Sequence, residues 1–160
     1  MELIANIPST VEQNYSYKNN GDLTFQKMNA IWGLDQETLS NGASFADLDN
    51  DGDLDLVVNN MDEHAFLYRN NSNLHNTNNY LKVNLAGEGG NTYGIGAKVD
   101  LMVADQLLSQ EVFPTRGYQS SVDYGLVFGL GDVSEIPKLR ITWSNGKVQV
   151  LDKVTANQAI

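Results

Sequence analysis

The chain has no cysteine, so neither a disulfide framework nor a thiolate metal site can contribute to its fold. Basic residues are scarce: 10 Lys and Arg stand against 20 Asp and Glu among 160 residues, for a net charge of −10. Nucleic acid and anionic membranes both call for Lys- and Arg-rich faces, and this balance argues against either as a partner. No run of about 18 apolar residues occurs, so no membrane insertion is expected. The opening Met1-Glu2-Leu3-Ile4 lacks the basic start and long apolar stretch of a signal peptide, and any export signal is expected upstream. Histidine is limited to His64 and His75, read as surface loop residues, which leaves little for zinc or copper. Catalytic signatures are missing too: there is no Gly-x-Ser-x-Gly elbow, no His-Glu-x-x-His and no cysteine nucleophile. Glu111 and Asp123 are carboxylates that a glycosidase could use as a pair, but nothing in the sequence brings them together.

Strand signals dominate what is present. Leu81, Val83 and Leu85 alternate with Lys82 and Asn84; Val99, Leu101 and Val103 alternate with Asp100 and Met102; Leu139, Ile141 and Trp143 alternate with Arg140 and Thr142. Period two with β-branched and aromatic residues predicts half-buried strands. Asn145-Gly146 before Val148-Gln149-Val150 predicts a hairpin. The one helical candidate is a turn or two around Asp35–Leu39, closed by Asn41-Gly42. The expected fold class is therefore all-β. Tyr17-Lys18-Asn19-Asn20 is echoed 51 residues later by Tyr68-Arg69-Asn70-Asn71, an offset in the range of propeller blades. The Asn-dense stretch 70–79 reads as a linker, and its Asn70-Asn71-Ser72 sequon is of a kind that arises by chance in such composition.

Five of the acids fall in one nine-residue window, Asp47-Leu48-Asp49-Asn50-Asp51-Gly52-Asp53-Leu54-Asp55. Numbered from Asp47, carboxylates occupy positions 1, 3, 5, 7 and 9, with glycine at 6. Alternating carboxylates on a tightly curled loop converge on one point, and glycine permits the sharp turn that curls it. Position 7 usually contributes its backbone carbonyl, so Asp53 is expected to ligate through its main chain. An EF-hand would need glutamate at position 12 and flanking helices; Val58 stands there, and the flanks Ala43–Ala46 and Leu54–Val58 read as strands. The loop is thus EF-hand-like but set in a β-hairpin, with Asp55 in place of the distant glutamate. Such crowded carboxylates repel one another, and a divalent cation removes that cost. Calcium suits the high ligand count and flexible loop better than magnesium. The expected ligands are Asp47, Asp49, Asp51, Asp53 and Asp55.

Residues 45–58, Phe45 to Val58, resemble the FG-GAP/VCBS repeat, whose blades carry Asp-x-Asp-x-Asp-Gly-x-x-Asp before an apolar strand. The resemblance implies a propeller-blade-like antiparallel sheet with calcium on those aspartates. Further on, Asn91-Thr92-Tyr93-Gly94-Ile95-Gly96-Ala97, Gly117-Tyr118-Gln119-Ser120-Ser121, Phe128-Gly129-Leu130-Gly131, Trp143-Ser144-Asn145-Gly146 and Asn157-Gln158 resemble, in order and spacing, the ASPIC/UnbV domain of cartilage acidic protein and bacterial exported proteins. These resemblances imply a blade over residues 1–75 packed with a β-sandwich-like ASPIC/UnbV unit over 76–160, in an extracellular or cell-surface setting. Such proteins carry several blades where one is visible here, so the blade is expected to pack on the second half, on upstream blades or on a second copy. The sequence stops just after Asn157-Gln158, where such a domain is expected to add a further strand, and with the single visible blade this suggests a piece of a longer protein.

Gly94-Ile95-Gly96-Ala97 lacks the preceding strand, following helix and third glycine of a dinucleotide site and is read as a glycine bend leading into a strand. Phe128–Gly131 is read as a bend between strands. Trp143 shares a face with Leu139 and Ile141, which favours burial over sugar stacking; Tyr118 fits either packing or a ligand platform. The function expected is a non-enzymatic, calcium-binding adhesion or interaction module whose partner is a protein or glycan. The alternatives are an accessory carbohydrate-binding domain of a glycan-active enzyme and a structural spacer.

Overall fold

The computed structural model describes residues 10–160 apart from 76 and 104. In chain order the elements are β1 (Glu12–Gln13), β2 (Tyr17–Asn19), β3 (Phe25–Lys27), α1 (Asn29–Trp32), β4 (Glu37–Thr38), β5 (Ser40–Ala46), β6 (Asp55–Asn60), β7 (Phe66–Tyr68), α2 (Ser72–His75), β8 (Asn79–Val83), β9 (Lys98–Val103), β10 (Gln106–Glu111), β11 (Leu126–Gly131), β12 (Glu135–Thr142), β13 (Val148–Thr155) and β14 (Gln158–Ala159). The fold is all-β; the described helices are two single turns.

Two compact units emerge among these residues: 10–42 with Val58–Phe66, and Ala43–Val57 with Leu67–Ile160. The division runs through the sheet β5-β6-β7, so backbone proximity groups the aspartate loop with the C-terminal strands. The boundary expected from sequence pattern, between residues 75 and 76, separates the chain differently.

The first unit has short strands. β2 pairs with β3 and β1 with β4, both antiparallel. Its apolar core is small, with Met28 and Val58 buried, and a polar hub supplements it. Buried Asn29 accepts hydrogen bonds from the Ser16 N–H (2.9 Å) and hydroxyl (3.1 Å), while its amide donates to the Asn14 carbonyl. The helical turn expected at Asp35–Leu39 is a misplacement. Glu37 and Thr38 pair with Gln13 and Glu12 as strand, whereas the turn forms earlier at Asn29–Trp32, where Gly33 takes a left-handed φ of 70° and stops it.

The second unit is a β-sandwich. One sheet has the order β10-β9-β12-β13 and the other β11-β8-β14. The predicted alternations set the register: Leu101 lies opposite Leu139, Val99 opposite Ile141, and Leu81 opposite Phe128. These side chains form one apolar cluster with Val83, Val112, Leu126, Leu130 and Ile136. Phe128–Gly131 is not a bend between strands but lies within β11, with a register shift between Gly129 and Gly131. Gly129 and Gly131 keep partners in β8 and Leu130 between them is the residue left without one, while Phe128 and Leu130 are both buried. Gly94 and Gly96 form turns immediately before β9, as expected, and no helix follows them. The β12–β13 hairpin is present, closed by bonds from Trp143 N–H to Lys147 carbonyl and from Gly146 N–H to Trp143 carbonyl, both 2.9 Å. Only Gly146 of the Asn-Gly pair has positive φ (84°), the pattern of a turn followed by a glycine bulge. After Asn157 the chain adds β14, parallel to β8.

Candidate metal centre

β5 delivers the chain to Asp47 and β6 takes it away from Asp55, so the aspartates occupy the connection of a hairpin, as the strand-like flanks predicted. Within it Asn50 (φ 60°) and Gly52 (φ 94°) adopt left-handed conformations that curl the loop. Gly52 lies beneath Tyr80 of β8: a Cβ there would stand 2.2 Å from Tyr80 Cε1, so no larger residue fits without displacing the ring. β8 turns Leu81 and Val83 to the core, which leaves Tyr80 and Lys82 on its other face. That face carries the loop.

The curl brings carboxylate oxygens of Asp47, Asp49 and Asp51 within 4.8 Å of one another. Three negative charges this close repel by about 3–4 kcal/mol per pair at an effective dielectric near 20. Two side chains relieve part of this. Lys82 Nζ lies 3.1 Å from Asp47 Oδ2 in a largely enclosed pair, and exposed Arg69 Nη2 lies 2.8 Å from Asp49 Oδ2 and 3.5 Å from Asp51 Oδ2. Asp47 Oδ1 is left buried with no hydrogen-bond partner among the described residues, on a side chain only 3 % exposed. An orphaned carboxylate oxygen beside two converging carboxylates fits a hard, oxygen-seeking cation, so the cluster is competent to hold a metal ion.

The remaining two aspartates brace the loop. Asp55, buried at the start of β6, accepts from the Leu48 N–H (3.2 Å) and the Asn70 N–H (2.8 Å) with its two oxygens. Asp53 N–H donates to Asp51 Oδ1 (3.2 Å), and Asp53 Oδ2 accepts from the Ser72 hydroxyl (2.9 Å) and the Asn73 N–H (3.3 Å). The Asn73 amide donates to Asp51 Oδ2 at 2.7 Å. Burial pushes the Asp53 carboxyl above its ordinary value, assisted by the charges of Asp51 and Asp55, although the Ser72 and Asn73 bonds oppose the shift. Burial acts the same way on Asp51 but is outweighed by bonds from Asp53, Asn73 and Arg69, so Asp51 lies below its ordinary value.

Of the five predicted residues, three are thus brought together and two anchor the loop through their side chains. Arg69, Lys82, Ser72 and Asn73 were not foreseen as part of the centre. The stretch 70–79 is no free linker, because α2 at its start straps the loop through Ser72 and Asn73, and the sequon's Asn70 amide is engaged on the Leu54 carbonyl at 3.3 Å. The Tyr-x-Asn-Asn echo does carry a shared local feature: Asn19 and Asn70 each accept from the N–H two residues on, at 2.9 and 3.0 Å. His64 and His75 are exposed and lie outside the cluster. Glu111 and Asp123 line one cavity of about 620 Å³, with Phe113 and Arg116 beside them.

A family model described as FG-GAP-like repeat matches residues 2–58, and one described as ASPIC and UnbV matches residues 87–160. No curated protein matches the chain. The chain therefore carries an FG-GAP-like repeat followed by an ASPIC and UnbV domain, the order its motifs led one to expect. These are β modules of extracellular type. Among the described residues no helix is long and apolar enough to cross a membrane.

Proposed function

We propose that the chain is a calcium-binding interaction module of an exported or cell-surface protein, acting by binding and not by catalysis. The observation that carries this reading is the convergence of Asp47, Asp49 and Asp51 around the unpartnered, buried Asp47 Oδ1. Those three carboxylates would hold the ion, and the brace formed by Asp53 and Asp55 would keep them in place. Calcium would supply positive charge where the protein otherwise relies on Arg69 and Lys82. Carboxylates on a curled loop favour calcium over magnesium, which demands a tighter octahedral shell. With the loop rigid, the strands and turns around it would present a fixed surface to a protein or glycan.

The test is a thermal melt of the chain in EGTA, in a calcium titration and in magnesium. An ion that binds only the native state adds about 2.7 kcal/mol at a hundred times its dissociation constant, or roughly 5–15 °C for a unit of this size. A saturable rise with calcium, absent in Asp49→Ala, is expected. No rise at millimolar calcium would remove the proposal's foundation. A hydrolase is the second reading, favoured only by Glu111 and Asp123 sharing a cavity. Turnover of aryl glycosides that is lost in Glu111→Gln would replace the binding reading with that one.

A further inference from the structure

Within the ASPIC and UnbV domain, a second cavity of about 500 Å³ lies beside Trp143. One wall is the β12–β13 turn, with Asn145, Lys147 and Gln149; the other is the loop carrying Glu88 and Asn91. Both walls are preformed. The Gly87 N–H bonds the Thr92 carbonyl at 2.9 Å, and a Cβ on Gly87 would stand 2.1 Å from the Asn91 carbonyl oxygen, so this loop requires glycine to close. Asn91 spans the gap: its amide donates to the Ile95 carbonyl (2.9 Å) and to the Ser144 hydroxyl (3.4 Å) on the opposite wall.

The chemistry of the lining is selective. Trp143 is its one aromatic group, half-buried with part of its ring on Gly94 and the core cluster. Among the described residues the indole N–H has no hydrogen-bond acceptor. The Asn145 carboxamide oxygen is used by the Lys147 N–H (2.9 Å), and among the described residues neither its NH₂ nor the exposed Gln149 carboxamide has a hydrogen-bond partner. Glu88 and Lys147 pair across the rim at 3.0 Å and cancel in charge. The cavity is therefore concave, electrically balanced and rich in uncommitted amide donors beside an indole.

We propose that this cavity binds a neutral saccharide of one or two units, with Trp143 as apolar platform and Asn145 and Gln149 bonding its hydroxyls. The volume is within the range of small-ligand sites. An indole pairs an apolar face with a polar edge, which matches the alternation of C–H and O–H groups on a pyranose. A peptide is disfavoured as occupant because Trp143 has only the small apolar side chains of Ala86 and Val148 beside it, too little for a hot-spot cluster. The site stands independently of the calcium reading.

The test uses the full chain carrying Trp32→Phe, which leaves Trp143 as its only indole. Emission is followed while cellobiose, diacetylchitobiose, maltose, lactose and mannobiose are added separately, in calcium and in EGTA. A saturable change with at least one sugar is expected, with a dissociation constant on the order of 1 mM. Asn145→Asp, which keeps the turn's acceptor and removes the donor, combined with Gln149→Ala should weaken it about tenfold, two hydrogen bonds' worth, without lowering the melting temperature. No change with any sugar at 50-fold that concentration, an unchanged affinity in the double variant, or a response to short peptides alone would each overturn the assignment. Sugar binding that persists in EGTA separates this site from the metal centre.

Discussion

Gly52→Ala isolates the feature that lets the loop curl. Two costs are expected. At φ 94° an alanine loses the freedom glycine has, at about 1–2 kcal/mol. Its Cβ would also lie 2.2, 2.3 and 2.6 Å from three atoms of the Tyr80 ring, an overlap that no small relaxation removes. Overpacking of this kind costs about 1–3 kcal/mol. The sum is about 2–5 kcal/mol, and the two parts are separable because only the second involves Tyr80. A double-mutant cycle with Tyr80→Ala, measured by urea unfolding in EGTA, should show Gly52→Ala costing about 1–3 kcal/mol less when the ring is gone. If Gly52→Ala alone cost under about 0.5 kcal/mol, or if the cycle were additive, the packing of the loop against β8 would be wrong and with it the reason for glycine at this position.

Lys82→Met leaves Asp47 buried without its cation and should destabilise the chain by about 3–5 kcal/mol in EGTA, with saturating calcium restoring part of the loss in the same unfolding assay. Arg69→Gln removes an exposed cation that lies on Asp49 and Asp51; isothermal titration should show tighter calcium binding with little change in stability. Asp100, buried on the outer side of β9, has its carboxyl pushed up by burial but drawn further down by the Ser109 hydroxyl and by Lys98 and Arg140, so its folded pKa lies below the unfolded value of about 3.9. Its contribution is therefore present above that value and lost as pH falls through the lower folded one; Asp100→Asn should cost about 1–3 kcal/mol at pH 7 and flatten the acid limb below pH ~4 in a pH series of melts. Half-exposed Lys98 and Arg140 place the expectation toward the lower end.

The sandwich was legible wherever a strand buries one face, because period two then writes the register into the sequence. Val99, Leu101 and Val103, and Leu139 and Ile141, are core residues for that reason. The short strands β1 and β4 left no such trace, since two residues cannot show a period, and a turn of helix was read where Glu37 and Thr38 pair. The aspartate triad was legible because its ligands lie two residues apart on one loop. Its surroundings were not. Lys82 alternates with core residues and so looks like a solvent-facing position; only the fold shows that the aspartate loop covers that face. Ser72 and Asn73 sit in a composition that reads as linker, and their bonds to Asp53 and Asp51 span about twenty residues with no pattern to announce them. The Trp143 cavity was hidden by the same alternation that correctly placed Trp143 on the core side, because a ring at the end of a sheet can pack with one part and face solvent with another.

The aspartate loop lies on the chain between β5 and β6, yet its fixed contacts run to the sandwich. Tyr80 covers Gly52, Lys82 holds Asp47, and Ser72 and Asn73 hold Asp53 and Asp51. Every one of these partners belongs to the same compact unit as the loop itself. A cation gathered by Asp47, Asp49 and Asp51 would therefore tighten β8 and α2 as much as the hairpin that supplies the ligands. The FG-GAP-like match ends at residue 58 and the ASPIC and UnbV match begins at 87, so the strap of residues 67–83 belongs to neither. Metal-linked stability should accordingly follow the strap, and substitutions in residues 69–82 should change calcium affinity more than substitutions of equal size in β2 or β3. The loop, which lies inside the FG-GAP-like match, is thereby tied to strap residues that neither family match covers.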